Sequence, residues 1–352
     1  MTSNIKAAEA PPATIGYQPA GAATLIDVAK VAGVSPITVS RALNQPGMVR
    51  EKTLAKVTAA VQKTGYVKNM LAGALASNRS KLVALLLPTI TNTIFSDTVQ
   101  AVTDTLTASG YQLMLGLSGY EEWREEILLE TILSRRPDGI ILTGTLHTDN
   151  TRQRLRNANI PVVEAWDMTA APIDMLVGFS HEAIGHAVAH DLLAKGYRRF
   201  AVLSASDPRA GRRSQGLMAA LAKQGIDIVG TQTIQAPATM PLGREGAARL
   251  FDAATGPLPD VIFCSSDTLA LGVVTEAVSR GLRVPEDVAV MGFGDLNYAA
   301  HTVPPLSTVR VDGAAIGKLA AQRLLDRMNG APASESTRIT DTGFQLIQRG
   351  ST

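Results

Sequence analysis

The 352-residue sequence predicts an α/β protein with an all-helical N-terminal head and a larger two-lobed core, each lobe built on a parallel sheet. Residues 24–65 carry three short helical patterns and no strand pattern. From Leu82 onward, short apolar runs alternate with amphipathic helices. That alternation is typical of parallel sheets with helices on both faces, and its division into two blocks favours two lobes over one large sheet.

Three helices are predicted in the head. Ser35 and Pro36 open the second helix, because serine is a good N-cap and proline is favoured at the first helical position. Glycine-containing breakers follow each helix. The predicted spans are 25–32, 36–43 and about 51–64. Residues 1–23, which are rich in alanine and proline, are predicted to form a disordered tail.

The core elements are predicted from apolar runs of strand length that alternate with amphipathic stretches of helix length. The predicted strands are 82–87, 111–116, 139–143, 161–164, 199–204, 260–264 and 287–292. The predicted helices are 95–109, 121–135, 181–195, 210–224, 243–254, 267–280 and 312–328.

The composition limits the classes of protein that the chain can belong to. It is 45% hydrophobic and 18% charged, so a sizeable core can form. A single cysteine excludes an internal disulfide framework and suits the cytoplasm. No stretch approaches the roughly 20 apolar residues of a membrane helix, and no secretory signal precedes the head. We therefore predict a cytoplasmic protein with no membrane partner.

The net charge of +2 hides a strong asymmetry along the chain. Residues 24–81 contain nine basic and two acidic residues and so carry +7, whereas the remainder carries −5. A basic segment on a mildly acidic body indicates an anionic partner for that segment, such as nucleic acid. The alternative is that the basic residues of this segment form a solvated helical surface with no partner.

The first two head helices and the turn between them form a helix-turn-helix pattern. The second helix of such a motif can enter the major groove of DNA, with its N-terminal residues nearest the bases. The residues predicted to face outward are Pro36, Ile37, Thr38, Ser40 and Arg41. Val39 and Ala42 are predicted to face back onto the other helices. An ordinary helical hairpin is the alternative.

The run DVAKVAGVSPITVSRALN resembles the DNA-binding head of the lactose/galactose repressor (LacI/GalR) family, and the resemblance continues over nearly all of residues 24–352. Segments that carry it in the core include RPDGIILTG, GYRRFAVLSA, DVIFCSSDTLALGVV and GLRVPEDVAVMGF. The resemblance implies a repressor that binds double-stranded operator DNA at the nucleoid. It also implies a homodimer and a core like that of type I periplasmic binding proteins, with a small effector between the lobes.

The resemblance assigns roles to individual residues of the head. Pro36 and Ile37 occupy positions that read operator bases, and their side chains favour apolar contact with a thymine methyl group. Arg41 suits bidentate contact with guanine O6 and N7, and a simple phosphate contact is its alternative. The predicted phosphate contacts are Thr24, Ser35, Thr38, Ser40, Asn44 and Thr53.

Residues 69–80 correspond to the family's hinge helix and linker, after a DNA-binding domain at 24–68. Asn69 is implied to contact DNA, and Leu75 aligns with a leucine that wedges into the minor groove. Lys68 and Gly73 depart from the family pattern, and Gly73 lowers helix propensity. We therefore predict a hinge that is disordered away from DNA and ordered on it, with a plain linker as the alternative.

The core, 81–352, is predicted to hold the effector between its lobes. Lobe 1 is predicted to comprise 81–179 and 310–338, and lobe 2 to comprise 180–309 and 339–352. Arg213 matches the arginine with which relatives hold their effector, and a guanidinium presents a planar fork to a carboxylate or to vicinal hydroxyls. The full predicted set is Phe95, Tyr120, His147, Glu164, Arg213, Ser266 and Asp295. For the others, an ordinary loop or core residue is the alternative; Asp295 lies one residue after the family position.

The segments LLLPTITNTIFSDTVQAVTDTLTASGYQLML and DGIILTGTLHT resemble the gluconate-operon repressor branch. That resemblance implies a sugar-acid effector, such as gluconate or a ketogluconate, that releases the operator. A neutral-sugar or nucleobase effector, or corepressor action, stays open. The chain ends without the leucine heptad of the family's tetramers, which favours a dimer.

Two further classes are disfavoured by the sequence. Neither the phosphate-cradling G-x-x-x-x-G-K-[ST] pattern nor G-x-S-x-G occurs, and His186 and His190 form a pair without a third metal ligand. We therefore predict no catalytic residue, cofactor or metal. A solute-binding protein would share the core fold but would need an export signal and no DNA head.

Replacing Arg41 tests the base-reading assignment. We expect Arg41→Ala to weaken operator binding by about 1–3 kcal/mol and to relax the base preference at one operator position, because a bidentate guanine contact is lost. Operator selection with the purified variant measures both effects. Uniform weakening with an unchanged base preference would instead identify Arg41 as a phosphate contact.

Overall fold

The computed structural model describes residues 23–67, 79–332, 334 and 338–352, and the chain divides into two compact units, residues 1–76 and 77–352. Residues 1–22 of the tail predicted at 1–23 lie outside the described residues, as do the hinge residues Asn69 and Leu75.

The head contains the three predicted helices, α1 (Leu25–Ala32), α2 (Pro36–Asn44) and α3 (Glu51–Thr64). Thr24 and Asp27 form a capping box at the start of α1, and Gly33 ends that helix in the left-handed region at φ 66°. The small apolar core that holds the helices together consists of Val28, Ala29, Ala32, Val39, Ala42, Val57 and Ala60. The predicted inward orientation of Val39 and Ala42 is therefore confirmed.

Lobe 1 is built on a six-stranded sheet in the order β11-β5-β4-β3-β1-β2, in which every pairing is parallel. Its strands are β1 (Leu82–Leu87), β2 (Gln112–Leu117), β3 (Gly139–Thr143), β4 (Val162–Ala165), β5 (Met175–Gly178) and β11 (Ile339–Asp341). Its helices are α4 (Ser96–Ala108), α5 (Glu122–Ser134), α6 (Asp149–Ala158) and α11 (Gly313–Met328). Alternate residues of β1 pack on opposite faces, Leu85 with α4 and α11 and Leu86 with α5 and α6.

Lobe 2 is built on a four-stranded parallel sheet in the order β7-β6-β8-β9. Its strands are β6 (Phe200–Ala205), β7 (Ile228–Ile234), β8 (Val261–Cys264) and β9 (Ala289–Met291). Its helices are α7 (His181–Ala194), α8 (Pro208–Ala222), α9 (Met240–Asp252) and α10 (Asp267–Ser279). Helices α7 and α8 cover the face that carries Val202, and α9 and α10 cover the face that carries Leu203. The prediction of parallel α/β lobes is confirmed.

The lobes are joined where β5 leads to α7, where β10 (Thr308–Arg310) leads to α11, and beyond β11. Strand β10 pairs antiparallel with β12 (Gln345–Ile347), and the amide of Thr342 donates to the carbonyl oxygen of Gly178 at 2.8 Å. These crossing segments therefore contact one another and form a common hinge between the lobes.

One predicted lobe boundary is wrong. Residues 339–341, which the sequence placed in lobe 2, pair with β5 in the sheet of lobe 1, with Thr340 opposite Val177. The physical reason is that β5 would otherwise be an edge strand with unpaired backbone groups. A strand of three residues, of which only Thr340 is partly buried, gives no hydrophobic pattern that predicts this pairing.

Several short elements carried too little pattern to be predicted. Helix α6 has the sequence DNTRQRLRNA, in which Leu155 is the only large apolar residue. Strand β7 lies at a sheet edge and buries only Ile234 fully. The other elements missing from the prediction are strands of three or four residues, namely β5, β10, β11 and β12.

Glycines let α7 and α8 approach closely at the base of the cleft between the lobes. A Cβ atom on Gly216 would lie 2.4 Å from the carbonyl oxygen of Glu182, and one on Gly185 would lie 2.2 Å from that of Arg213. Real Cβ atoms do not approach backbone oxygens this closely, so larger residues would separate the two helices. These glycines therefore fix the position of the cleft-facing ends of α7 and α8.

The close approach can be tested within one helix. We expect Gly216→Ala to lower the free energy of unfolding by about 1–3 kcal/mol, because the added methyl group overpacks the contact between helices. Gly211→Ala in the same helix is the matched control, since a Cβ atom there meets nothing within 4 Å. That control should raise stability by up to about 1 kcal/mol. Urea denaturation measures both, and equal effects would contradict the close contact.

Candidate functional site

A polar cleft lies between the lobes, where the C-terminal ends of the strands of both parallel sheets meet. In open α/β sheets this edge is where ligands bind, because the loops after the strands converge there. Lobe 1 contributes Phe95, Tyr120 and Trp166 to the cleft wall. Lobe 2 contributes His181, Asp207, Arg209, Arg213, Ser265, Ser266 and Phe293.

Arg213 is a buried cation in the wall of this cleft, with 4% of its surface exposed. Its Nη2 donates to the carbonyl oxygen of Ser265 at 2.8 Å, and its guanidinium lies 3.8 Å from the centre of the Phe293 ring. Its Nε is buried without a hydrogen-bond partner, and no carboxylate of the described residues lies within ion-pair distance of the group. Burial lowers the pKa of Arg213 to about 10, so the group stays charged at neutral pH.

His181, the first residue of α7, fixes the orientation of this guanidinium. Its Nδ1 lies 2.9 Å from Nη1 of Arg213, and its Nε2 lies 3.0 Å from the carbonyl oxygen of Trp166. Because a guanidinium only donates, Nδ1 must accept and the proton must sit on Nε2. Burial and the charge of Arg213 hold the pKa of His181 well below its usual range, in agreement with a neutral ring.

Two more arginines of α8 face the cleft, and each has a carboxylate partner. Nη1 of Arg212 donates to both carboxylate oxygens of Asp167, at 2.7 and 2.8 Å, which links lobe 2 to lobe 1. Nε of Arg209 donates to Asp207 at 3.3 Å. Arg213 is thus the cleft arginine that has no carboxylate within ion-pair distance in the described part of the chain, although the charges of Asp207 and Asp167 act on it from further away.

Four predicted effector residues, Phe95, Tyr120, Arg213 and Ser266, line this one cavity. The Phe95 ring stands edge-on to Trp166, with centroids 5.0 Å apart. Burial, followed by the charge of Asp207, raises the pKa of Tyr120 to about 12, so its hydroxyl keeps its proton and can donate. The Ser266 hydroxyl caps α10 by accepting from the amide of Leu269.

Two other predicted effector residues, His147 and Glu164, lie in a buried charged cluster outside the lining of that cavity. His147 Nδ1 lies 2.5 Å from Oε1 of Glu125, and Nε2 lies 3.5 Å from Oε1 of Glu164. The carboxylates lie on opposite sides of the ring, so the three groups do not converge on a common metal position. Burial lowers the pKa of His147, but the hydrogen bond with Glu125 and the charges of both glutamates outweigh it and raise the pKa to about 9.

Asp295 also lies outside the cavity lining. Its carboxylate pairs with Arg310 at 2.6 Å and with Arg349 at 2.7 Å, which ties the loop after β9 to two segments of the hinge. The structure thus places Asp295 in an ion-pair cluster at the lobe crossings.

Sequence reasoning missed six of the residues named in this cleft: Trp166, His181, Asp207, Arg209, Ser265 and Phe293. Trp166 follows β4 by one position, Phe293 follows β9 in the segment VMGF, and His181 begins α7. Positions just beyond strand ends were the available signal for the two aromatic residues. His181 gives no such signal, because its partners Trp166 and Arg213 are distant in sequence.

In the head, the exposed tip of α2 carries the residues predicted to meet DNA. Ile37 is 72% exposed, and Pro36, Arg41 and Asn44 are also exposed. The hydroxyl of Ser35 caps α2, accepting from the amide of Thr38 at 3.2 Å, and the amide of Asn44 donates to the hydroxyl of Ser40. Thr24 caps α1, and Thr53 is half-buried near the start of α3.

The chain is similar to known bacterial regulators over nearly its whole length. A model of bacterial regulatory proteins of the lacI family matches residues 24–69, and a model of periplasmic binding protein-like domains matches residues 189–352. The HTH-type transcriptional regulator GntR of Pseudomonas aeruginosa is 39% identical over 334 residues, covering 94% of this chain and 96% of that one. Its namesake from Escherichia coli K12 is 33% identical, covering 93% and 98%.

Solved structures agree with this similarity. A LacI-family transcriptional regulator from Silicibacter pomeroyi has a TM-score of 0.88 at 31% identity, covering 94% of this chain and 99% of that one. The lac repressor dimer bound to operator and the anti-inducer ONPF has a TM-score of 0.80 at 25% identity, with the same coverage.

Among the described residues, no helix combines the length and the apolar character needed to span a bilayer. Over the same ranges, no group of three or more His, Cys, Asp or Glu side chains is arranged to hold a metal ion.

Because folding raises the pKa of His147, the contribution of this residue to the free energy of unfolding depends on pH. A histidine whose pKa is raised on folding contributes stability that is fully present below its unfolded pKa of about 6.5 and is lost as pH rises through about 9. We therefore expect His147→Gln to cost about 3–5 kcal/mol at pH 6.5, because a buried charge pair is broken, and less at pH 9.5.

Urea denaturation at both pH values measures the difference. His186→Gln is the control, since His186 is half-exposed and lies 3.5 Å from Glu182 on the surface of α7. A difference between wild type and His147→Gln that does not change with pH would contradict a charged His147.

Proposed function

Because the chain belongs to the lacI family of bacterial regulatory proteins, we propose that it represses carbohydrate catabolism genes until a sugar acid binds in its core. The chain is a DNA-binding transcriptional repressor of that family. We propose further that the sugar acid acts as an inducer and that the repressor binds a pseudo-palindromic operator as a homodimer.

The observation that carries the effector proposal is the buried charge of Arg213. Burying an ion is costly unless a charged or hydrogen-bonding partner offsets the loss of water, and Arg213 has only neutral partners among the described residues. A ligand carboxylate would supply the missing partner and could accept from the free Nε and the remaining Nη hydrogens.

The rest of the cavity suits the polyhydroxyl chain of a sugar acid. Asp207 and the hydroxyl of Tyr120 can bond hydroxyl groups, and Ser265 and Ser266 add polar atoms at the same wall. Phe95, Trp166 and Phe293 supply apolar faces for the carbon chain. The GntR name of two relatives agrees with the resemblance to the gluconate-operon repressor branch. Neutral sugars, nucleobases and corepressor action remain the alternatives.

The DNA side of the proposal is a homodimer on a pseudo-palindromic operator. Exposed apolar side chains on the β2 edge of lobe 1 and on α5 support a second copy as the partner: Leu115, Leu117, Trp123 and Ile127. A twofold dimer would present two heads to two half-sites. In each head, Arg41 and the apolar tip at Pro36 and Ile37 would read bases. Asn69 and Leu75 retain their proposed roles at the centre of the operator.

The effector would act by favouring one arrangement of the two lobes. A ligand shifts such an equilibrium only by its difference in affinity between the two states. We propose that a carboxylate on Arg213 favours a lobe arrangement that disfavours operator binding, which makes the sugar acid an inducer.

A ligand panel with the full-length protein tests this proposal. Gluconate or 2-ketogluconate should raise the melting temperature by several degrees at about 100 times Kd, because a ligand at that level adds about 2.7 kcal/mol to stability. The same acid should weaken operator binding in an anisotropy titration. Glucose and hypoxanthine should do neither, and Arg213→Gln should abolish the response to the acids.

Two results would contradict the proposal. Stabilisation by neutral hexoses alone would exclude a carboxylate partner for Arg213. Tighter operator binding in the presence of the acid would replace the inducer with a corepressor.

A further inference from the structure

A series of hydrogen bonds, joined through the backbone and side chain of Trp166, leads from Arg213 to helices α4 and α11 of lobe 1. Arg213 donates to His181, His181 donates to the carbonyl oxygen of Trp166, and the indole Nε1 of Trp166 donates to Oγ1 of Thr98 at 3.0 Å. The Thr98 hydroxyl donates in turn to the carbonyl oxygen of Gly313 at 2.7 Å. We call these five residues the relay.

Every donor in the relay has a fixed direction. A guanidinium and an indole can only donate, and the two backbone carbonyls can only accept. His181 must therefore be neutral with its proton on Nε2, and the hydroxyl proton of Thr98 must point to Gly313. No residue of the relay can exchange its donor and acceptor roles without breaking a hydrogen bond. A displacement of one end must therefore move the neighbouring residues of the relay.

The relay is buried and crosses between the lobes. Arg213, His181, Trp166 and Thr98 are each at most 4% exposed, so water does not compete for their bonds. Arg213 and His181 belong to lobe 2, whereas Trp166 follows β4, Thr98 lies in α4 and Gly313 begins α11, all in lobe 1. The ionic link between Arg212 and Asp167 also joins the lobes but does not include Arg213.

The backbone at Trp166 indicates that this arrangement is imposed by its surroundings. Trp166 has φ 66°, in the left-handed region that bulky side chains rarely adopt. In that conformation its carbonyl meets His181 while its indole meets Thr98 and its ring packs on Phe95 and Phe179. Strained backbone of this kind persists only where the neighbouring structure over-determines it.

We propose that His181 is a positioning residue that transmits occupancy of Arg213 to the packed pair α4 and α11 through Trp166 and Thr98. This inference rests on the proposed effector site at Arg213. A carboxylate that draws the guanidinium toward the cleft changes the geometry at Nδ1 of His181, and the fixed donor directions carry that change into lobe 1. Helices α4 and α11 are held together by Thr98 itself, which bonds Gly313 and packs against Gly317.

Thr98 allows the transmission to be separated from effector binding, because it lies in the relay and outside the cavity lining. Thr98→Val keeps the shape of the side chain and removes both bonds of the hydroxyl, whereas Thr98→Ser keeps the hydroxyl. In the full-length protein, both variants should bind gluconate within about threefold of wild type. Thr98→Val should reduce the gluconate-induced weakening of operator binding about tenfold, and Thr98→Ser should preserve it.

His181→Asn gives a second measurement. Its amide oxygen can still accept from Arg213, but the side chain is too short to reach Trp166, so coupling should fall as in Thr98→Val. The double variant should lose no more coupling than the larger single variant, because both changes interrupt one relay. His186→Asn on the same helix is the control and should leave coupling unchanged.

Hydrogen exchange of the ligand-free protein tests the relay independently of the ligand. His181→Asn should accelerate amide exchange about tenfold at the start of α4 and α11, in the opposite lobe, and His186→Asn should not. Full gluconate coupling in Thr98→Val, or unchanged exchange in His181→Asn, would overturn the proposal. If wild type ignores gluconate, the proposed effector fails, while the exchange result still decides the relay.

Discussion

The guanidinium of Arg213 is the constraint on which the organisation of the cleft depends. A buried cation needs either a counter-charge or a full set of hydrogen bonds, and the hydrogen-bond partners of Arg213 among the described residues are neutral. His181 must then remain neutral, Ser265 must present its carbonyl oxygen, and Phe293 must offer its ring face. The guanidinium is left without an ion-pair partner among the described residues, and its neighbours are held in a single arrangement.

The architecture that permits this burial is a close helix crossing. Gly185 and Gly216 bring the backbones of α7 and α8 together at the end where His181 and Arg213 lie. Close approach at these positions orients both side chains toward the same point of the cleft. The contact between α7 and α8 that packs lobe 2 therefore also positions the side chains of His181 and Arg213 in the cleft.

Two buried histidines show how surroundings decide protonation. His147 lies between two glutamates and is held as a cation, whereas His181 lies beside a guanidinium and is held neutral. Both rings are almost wholly buried, so desolvation opposes the charged form in each. The sign of the neighbouring charge makes the difference. One histidine consequently forms an ion pair within lobe 1, and the other accepts a hydrogen bond from Arg213 and donates one to Trp166.

The three head helices and the main strands and helices of both lobes were predictable from the sequence, and the resemblance to the family pointed to Arg213. Those features depend on local patterns: caps, apolar periodicity and a specific motif. The folded chain was needed to show that β11 joins lobe 1, that His147 and Glu164 form a charged cluster with Glu125, and that His181 joins Arg213 to Trp166. Each of these contacts joins segments that are distant in sequence and carry no local pattern. Backbone groups at a sheet edge and buried ions pair with whichever groups the fold brings next to them.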